Sequence, residues 1–594
     1  MLTAFLYLPA LANDYTWDDL SLLYQPNGYS SERWLFHAIS RPLPFSDNYF
    51  RPLVSLVLAA DFRFGGTNPQ LSHAISLGLF LGNGLILLLI IQTLCRKLTL
   101  TNQQSALYGG GALAFYLLHT SQMESAVWIA GRFDLMITTF LLLALLADTS
   151  IQKPGKRAAT VGVCFLLAAL CKEMAVFFLP CLVVWHYLLA TAERYQPPAS
   201  YLHEVAIPKH LPVYLAIVLA GIIYLALRYA ALGYLMVDEH EIAGRYGSLP
   251  HQLAAFGKAG FLYLRLLFLP FLDVSNQHPQ AFPVPVSDPL SITGILILLL
   301  FAVLLIRSKS QEALLLLLPL LLFFTAIFPV LHLLPLKIGD NIIHDRFMAF
   351  PTALFAVATL PAITLLANKL SRGFRKIALL LFLGWGMVAI ASIHSIVPLW
   401  KNDLTLWRWT YLKYRDDLST GVYALALLNF GFLDEAYQLS SQMERKNGLY
   451  YLIQGTALMK QQQLDAALVH FNSALAAGLD IDNKALVIAR SGLIELQLGH
   501  PEKAEQLLAA SLKLVPDNLH THHYLACLHY QKADFAKTRS ALNQAILHTP
   551  VISNSRKRYQ EYLQELDKAE AVFRATGRLP PLQDVLLQEK VPNP

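Results

Sequence analysis

Long apolar stretches separated by short polar loops fill the first two thirds of the chain. A helix closes its backbone hydrogen bonds internally, and it needs about 20 apolar residues to cross the roughly 30 Å hydrocarbon core of a bilayer. The pattern therefore predicts eleven membrane spans, at residues 1–12, 71–94, 105–120, 132–147, 158–171, 174–191, 210–230, 289–306, 313–335, 347–367 and 376–397. The first is the shortest, because its 12 residues reach only about 18 Å as a helix.

Two further apolar stretches, 52–62 and 253–272, are predicted not to cross the membrane. The first is too short and ends at Gly65-Gly66, so it is expected to lie along the interface. If the second crossed, the basic cluster at 369–376 would face the side opposite to the other basic loops. We therefore predict that 253–272 is re-entrant or interfacial.

Basic residues set the predicted orientation. Lys and Arg concentrate in alternate loops near residues 96–97, 153–157, 194–209, 307–309 and 369–376. Cytoplasmic loops carry an excess of these residues, so the remaining loops and the C-terminal part are expected on the outer face. The chain has no Asn-x-Ser/Thr sequon, which favours a bacterial source. The expected location is the bacterial inner membrane, with the outer loops in the periplasm.

The composition agrees with lipid as the solvent. Of 594 residues, 55% are hydrophobic and 14% charged, and the mean hydropathy is +0.44. The formal charge of +6 is attributed to basic helix ends, so nucleic acid is not expected as a partner.

The chain has no CxxC pair, so its five cysteines are interpreted as small apolar residues rather than a disulfide frame or metal site. Its nineteen histidines show no HExxH or other metal spacing, and no Gly-rich phosphate loop of the P-loop or dinucleotide type is present. No metal-binding residues and no definite cofactor are therefore predicted.

Polar, helix-forming sequence follows residue 415, with a repeat near the 34-residue period of tetratricopeptide (TPR) repeats. The small residues expected in the first helix of each repeat, Gly455, Gly492 and Ala526, are 37 and 34 residues apart. Second-helix positions follow at fixed offsets, at Ala467, Phe471, Ala474, Ala504, Leu508, Ser511, Thr538, Leu542 and Ala545. A degenerate earlier copy brings the predicted number of repeats to about four.

The predicted fold class is all-α, with a multispanning membrane domain followed by a TPR α-solenoid. The membrane domain covers residues 1–400 and contains a first outer loop at 13–70. A linker is expected at 401–416, the repeats at 417–550, and a capping helix with a tail at 551–594.

Asp18 and Asp19 are adjacent acids in the first outer loop, a few residues after the first apolar segment. A carboxylate near the membrane surface can act as a general base that makes an acceptor hydroxyl nucleophilic. Its neighbour could raise its pKa, hold the acceptor or help to bind a divalent cation. The alternative is that both acids only favour a helix N-terminus or solvate the loop.

A second outer loop carries Glu124, Trp128, Arg132 and Asp134. Trp128 fits either an interfacial aromatic belt or a surface on which a sugar ring stacks. Arg132 and Asp134 either pair with each other or contribute to a site.

The third group is basic. Lys172 lies beside Glu173 in a short outer turn, Arg346 follows His344 before a late span, and Arg51 precedes the 52–62 stretch. Preorganised cations would stabilise the charge that gathers on a leaving phosphate. The alternative is that these cations only anchor helix ends at the interface.

These motifs occur in an order that resembles a known family. An Asp-Asp pair follows the first span, YFRPL closes the first loop, and E-x3-W-I-A-G-R-x-D, C-K-E-x-A and H-D-R-F follow. The chain resembles the multispanning GT-C glycosyltransferases. With the C-terminal repeats, it looks most like the transmembrane and TPR-containing protein O-mannosyltransferases and their bacterial relatives. It departs from that pattern in its short first span and in its modest number of repeats.

The resemblance implies a polyprenyl-phosphate sugar donor and transfer with inversion on the outer face. One acid of the Asp18–Asp19 pair would be the general base. The donor phosphate would lie near Arg346 and Lys172, with His344 and Arg132 as further candidates. The implied acceptor is a protein Ser or Thr, with the TPR groove engaging the acceptor or a partner protein.

Two alternatives remain open on the sequence. The first is transfer to a glycolipid or envelope polysaccharide. The second is a non-catalytic scaffold whose membrane part only anchors the TPR array. Surface chemistry is favoured over transport, because the ionisable residues collect in the outer loops rather than within the spans.

Overall fold

The computed structural model of the protein describes residues 1–22, 34–40, 42–43, 48–66, 68–195, 197, 201, 206–235, 246–334, 341–549 and 554–587. Within these ranges the chain is helical, with an isolated bridge between Pro279 and Asn341 and no strand. The predicted all-α class is confirmed. The chain divides into two compact units, one built from Met1–Leu22 and Arg33–Lys401 and the other mainly from Asn402–Pro594.

The first unit contains eighteen α-helices in the described ranges. They are α1 Leu2–Tyr7, α2 Asp19–Leu22, α3 Trp34–Ser40, α4 Pro52–Gly65, α5 Pro69–Lys97, α6 Asn102–Gln104, α7 Gly110–Leu117, α8 Gln122–Val127, α9 Arg132–Ser150, α10 Pro154–Cys171, α11 Phe178–Glu193, α12 Ile207–Leu232, α13 Leu249–Phe268, α14 Pro270–Asp273, α15 Pro289–Arg307, α16 Gln311–Ile327, α17 Ala349–Lys369 and α18 Arg372–Ile396.

Nine helical segments in the described ranges are long and apolar enough to cross a membrane. They are Pro69–Lys97, Arg132–Ser150, Pro154–Cys171, Glu173–Glu193, Pro208–Leu232, Pro289–Arg307, Gln311–Val330, Asp345–Ala367 and Arg372–Trp400. By length and composition the chain is a multi-pass membrane protein.

Two fewer spans are found than the eleven predicted. Leu2–Ala12 is apolar but shorter than a span. The segment predicted at 105–120 forms a helical run from Asn102 to Leu117 that a π turn interrupts, and it is also too short. Neither α4 nor α13 is among the nine, in agreement with the prediction that 52–62 and 253–272 do not cross.

Polar loop residues begin several of these helices. The side chains of Asn68, Asp288, Ser310 and Ser371 each accept a hydrogen bond from a backbone N–H in the first helical turn. Such caps satisfy donors that a helix N-terminus leaves without an intrahelical partner. The loops therefore specify where the apolar segments begin.

Helix α9 is the most enclosed of the nine spans. It packs against α5 and α10, and 72% of its apolar window is buried, compared with 11% for α15. It carries Arg132 and Asp134 near one end and Asp148 near the other, and all three are buried. Because buried charge is costly in lipid, the ionisable residues at both ends of α9 mark candidate functional sites.

Helices α13 and α15 approach closely through two glycines. A Cβ added to Gly294 would lie 1.9 Å from the Gly257 carbonyl oxygen, and one added to Gly257 would lie 2.4 Å from the Ser291 carbonyl oxygen. Only glycine leaves room for this contact, as is common where membrane helices pack.

The second unit begins with helix α19 Asp403–Tyr414, so the predicted linker is mostly helical. Successive helices then form hairpins, which are followed by one long helix and one short helix. They are α20 Asp417–Asn429, α21 Leu433–Ser440, α22 Gly448–Lys460, α23 Leu464–Ala477, α24 Ile481–Gln497, α25 Pro501–Leu514, α26 Leu519–Gln531, α27 Phe535–Leu547, α28 Asn554–Thr576 and α29 Leu582–Val585.

The residues predicted from the repeat period lie at the hairpin contacts. A Cβ on Gly455 would lie 2.6 Å from Phe471 Cδ1, and one on Gly492 would lie 3.1 Å from Leu508. Phe471, Leu508 and Leu542 are buried. The small residue of each first helix thus makes room for a bulky residue of the second. The assignment of these hairpins to the TPR class stays a prediction.

Candidate functional site

Asp19 joins the first loop to the second. Its Oδ2 accepts a hydrogen bond from the Thr16 N–H at 3.0 Å, and its Oδ1 accepts one from the Ala130 N–H at 2.9 Å. The residue is buried at the start of α2. Both carboxylate oxygens are therefore used to hold two loop segments that lie more than a hundred residues apart in sequence.

Two tryptophans reinforce this junction. Trp17 has a φ of 56°, in the left-handed region, and its ring stacks on that of Trp128 with centroids 4.5 Å apart. The Trp128 Nε1–H donates to the Thr16 carbonyl at 3.2 Å. The Arg346 guanidinium lies 5.2 Å from the Trp128 ring centroid. Trp128 is buried by these contacts, so its ring is covered by protein rather than exposed as a belt or sugar-stacking surface.

Asp18 differs from Asp19 in its exposure and its hydrogen bonding. Its side chain is exposed, and its carboxylate makes no hydrogen bond or ion pair with the described residues. The surrounding protein removes part of its hydration and raises its pKa above the ordinary value, while the nearby charge of Arg346 acts in the opposite direction. A carboxylate with a raised pKa that pairs with no described residue is suited to accept a proton.

Arg346 is fixed by Glu124 and His344. Glu124 Oε2 accepts a hydrogen bond from the Arg346 backbone N–H at 2.8 Å, and its Oε1 pairs with Arg346 Nη1. His344 Nδ1 lies 3.0 Å from the same Nη1. The Nε and Nη2 atoms of Arg346 make no hydrogen bond with the described residues. This guanidinium is therefore oriented along one edge and has donors left for an anion.

The pKa values agree with this arrangement. Burial alone would raise the pKa of Glu124, but the Arg346 charge and His344 outweigh it and hold the pKa at about 2. Burial, together with Arg346, lowers the pKa of His344 to about 4. At neutral pH His344 is therefore uncharged, so its Nδ1 can accept a hydrogen bond from Arg346.

Two more ion pairs complete the cluster. Lys172 Nζ lies 2.6 Å from Asp134 Oδ1. Arg51 donates to Glu173 through Nε at 3.0 Å and Nη2 at 2.8 Å. Burial lowers the pKa of Lys172 to about 8, and the charges of Arg51 and Arg346 add to this effect while Asp134 opposes it. The three cations are thus close enough to influence one another.

Phe347 brings two of these cations to one ring. Lys172 Nζ lies 4.5 Å and the Arg346 guanidinium carbon 4.9 Å from its ring centroid. A hollow of about 30 Å³ beside them is lined in part by Asp134, Met174 and Phe347. Phe347 was not among the predicted site residues, although it is the last letter of the H-D-R-F motif.

Arg132 lies elsewhere, in a buried network between helices. It forms an ion pair with Asp61 of α4, and its Nε donates to Ser76 Oγ at 3.1 Å. It also hydrogen bonds to the Ser72 carbonyl. The suggested Arg132–Asp134 pair is wrong, because Asp134 pairs with Lys172 instead. Asp61 is an acid inside an apolar helix, and this feature of the sequence could have indicated that it pairs with a buried cation.

The structure therefore brings together most of the predicted residues. Asp18, Glu124, Lys172, His344 and Arg346 are linked by direct contacts or by the charge effects on their pKa values. This arrangement combines a carboxylate that pairs with no described residue and oriented cations, a combination that could activate a hydroxyl beside a phosphorylated substrate.

Comparison of the chain with protein-family models, with curated proteins and with solved structures finds no match. Function is therefore inferred from the chemistry of the site.

Proposed function

We propose that this multi-pass membrane protein is a glycosyltransferase of the GT-C type. It transfers a sugar from a polyprenyl-phosphate donor to a hydroxyl of an acceptor, with inversion at the anomeric carbon. The proposed site is the cluster around Asp18, Lys172 and Arg346. We assign it to the outer, periplasmic face of a bacterial inner membrane, as the charge pattern of the loops predicts.

The difference between the two adjacent acids is the observation that carries the proposal. Asp19 has both oxygens bound to backbone amides, whereas the exposed Asp18 has a raised pKa. We therefore assign the general base to Asp18 and a positioning role to Asp19. The base removes the acceptor hydroxyl proton as the new glycosidic bond forms and the bond to the donor phosphate breaks.

Arg346 and Lys172 are assigned to the leaving lipid phosphate. Both cations already have a carboxylate partner, so the resting site is close to neutral and the partners hold the cations in place. Each cation still has donors to offer as negative charge develops on the phosphate. His344 is assigned to orienting Arg346, and Arg132 is left out because its donors are directed into its own network.

The C-terminal hairpins are assigned to the acceptor side. If they form a TPR array, their groove would engage a protein acceptor at Ser or Thr or a partner protein. A glycolipid or envelope polysaccharide is the alternative acceptor. A purely structural scaffold is disfavoured, since a carboxylate that pairs with no described residue and lies within the charge influence of the oriented Arg346 adds nothing to anchoring.

Donor binding tests the proposal. Full-length protein in lipid nanodiscs is titrated with a fluorescent polyprenyl-phosphate hexose. We expect saturable binding that Arg346→Ala weakens about 10- to 100-fold, the range for losing one or two hydrogen bonds to a charged group. The matched control is Arg375→Ala, because Arg375 is an exposed cation elsewhere in the same unit.

Wild-type affinity in the Arg375 variant and weakened affinity in the Arg346 variant would support the assignment. Equal affinities in wild type and Arg346→Ala would overturn it. Absence of saturable binding to any polyprenyl-phosphate hexose would favour the scaffold alternative.

A further inference from the structure

A second polar cluster lies at the opposite end of α9. Asp134 and Asp148 are both on α9, fourteen residues and therefore about 21 Å apart. Asp148 lines a cavity of about 530 Å³, together with His186 of α11 and His210 of α12. This cavity is far larger than the hollow beside Phe347, and the proposed transferase site makes no use of it.

The three side chains form one compact group. His186 Nε2 lies 2.8 Å from Asp148 Oδ2, and His186 Nδ1 lies 2.8 Å from the Tyr214 hydroxyl. The His186 and His210 rings stack with centroids 3.6 Å apart. One potential ligand atom from each of the aspartate and the two histidines lies within 4.8 Å of the others.

Two potential ligand atoms in this group have no hydrogen-bond partner among the described residues. Within the part of the chain that the structure describes, Asp148 Oδ1 and His210 Nδ1 are buried and accept or donate no hydrogen bond, and both residues are more than nine-tenths buried. Asp148 Oδ1 lies 3.9 Å from Arg157 Nε, which is beyond hydrogen-bond distance. Leaving a buried polar atom without a partner costs on the order of 1–3 kcal/mol, so two in one cluster call for a ligand.

We propose that Asp148, His186 and His210 bind a divalent transition-metal ion, with Zn²⁺ as the best match. One carboxylate and two imidazoles are typical zinc ligands, and a site with three protein ligands keeps a coordination position open. In this site the open position faces the cavity. Zinc ligand bonds of about 2.0–2.2 Å require the three atoms to close in by roughly 1 Å.

The ring geometry indicates how the site closes. A metal ion lies in the plane of each imidazole that binds it, so two stacked rings cannot both bind unless one turns. His210 is the ring to turn, because its Nδ1 has no hydrogen bond to lose. His186 would bind through Nε2, where the metal would replace the hydrogen bond to Asp148 Oδ2, and it would keep its Nδ1 hydrogen bond to Tyr214. Such an outer contact fixes the orientation of a metal-bound histidine.

The cavity would also accept an anion at the open position. Lys97, Arg157 and Lys209 line it, and Glu193 is the one carboxylate among its described lining residues besides Asp148. Two neutral histidines and one aspartate leave a bound Zn²⁺ with a net positive charge, and the three cations add to it. Phosphate or a carboxylate is therefore the class of small ligand expected on the metal.

Metal analysis of the full-length protein tests the site. Protein in detergent is stripped with a chelator, incubated with Zn²⁺, desalted and analysed by inductively coupled plasma mass spectrometry. We expect about one equivalent of Zn²⁺ more in wild type than in Asp148→Asn or His210→Ala. Tyr214→Phe should retain the metal with an affinity about 10- to 100-fold lower.

His500→Gln is the matched control, because His500 pairs with Glu495 at 2.9 Å in the second unit. This variant should bind as much Zn²⁺ as wild type. A Co²⁺ titration of wild type is independent of how any variant folds, and it should give the visible absorption of a low-coordinate nitrogen and oxygen site. Equal Zn²⁺ content in wild type and both ligand variants, or a Co²⁺ spectrum like that of the hydrated ion, would overturn the proposal.

Discussion

Replacing Asp18 with Asn should separate catalysis from stability. The Asp18 carboxylate is exposed and bonds to no described residue, so its loss should change the free energy of unfolding by less than about 0.5 kcal/mol. Loss of a general base should lower the transfer rate about 10²- to 10⁴-fold. That loss corresponds to roughly 2.7–5.4 kcal/mol of transition-state stabilisation.

Asp19→Asn is the matched comparison and should behave differently. The two Asp19 oxygens accept from the Thr16 and Ala130 amides. An amide side chain has one oxygen, so its NH₂ group would face one of these donors. A buried N–H left unsatisfied costs about 1–3 kcal/mol. We therefore expect Asp19→Asn to lower the unfolding free energy as well as the rate.

Both effects can be measured on the same preparations. Thermal unfolding in detergent is followed by intrinsic fluorescence, and initial transfer rates are measured in proteoliposomes at equal protein content. The reasoning is refuted if Asp18→Asn keeps the wild-type rate while Asp19→Asn loses it with no loss of stability. In that case the roles of the two acids would be reversed.

Three further predictions follow from the contacts. The transfer rate should fall in acid, because Asp18, with its raised pKa, becomes protonated. Donor binding should weaken as pH rises through about 8, where Lys172 loses its charge. Lys172→Arg should remove this loss of affinity at alkaline pH, measured as the Kd for the donor against pH. Arg132→Met should destabilise the protein by about 3–5 kcal/mol in thermal unfolding, because it leaves Asp61 buried and unpaired, and Arg132→Met with Asp61→Leu should recover most of the loss. Gly294→Ala should lower the unfolding temperature, because its Cβ would lie 1.9 Å from a backbone oxygen, while Gly384→Ala, with nothing within 4 Å, should not.

The helices were largely predictable because their signal is local. Length and hydropathy within one segment decide whether a helix can cross a membrane, and this placed the nine spans close to where they lie. The two surplus spans, at 1–12 and 105–120, were apolar but too short. The repeat spacing likewise assigned Gly455 to the first helix and Phe471 to the second helix of one hairpin, where the two residues are in contact.

The site was less predictable because its contacts join distant segments. Asp19 accepts a hydrogen bond from the N–H of Ala130, which is 111 residues away, and Arg132 pairs with Asp61, which is 71 residues away. Nothing in the local pattern distinguishes Asp18 from Asp19, or Asp134 from Asp61 as the partner of an arginine. Motif order pointed to residues that the fold brings together, and only the fold assigned their contacts.

Turnover with a defined donor tests the central claim most directly. Purified protein in proteoliposomes is incubated with a panel of polyprenyl-phosphate hexoses and acceptor peptides or glycans, and release of the lipid phosphate and the anomeric configuration of the product are measured. We predict release with at least one donor, an inverted product, and loss of both signals in Asp18→Asn. Release at the same rate by wild type and Asp18→Asn, or no release with any donor and acceptor, would contradict it.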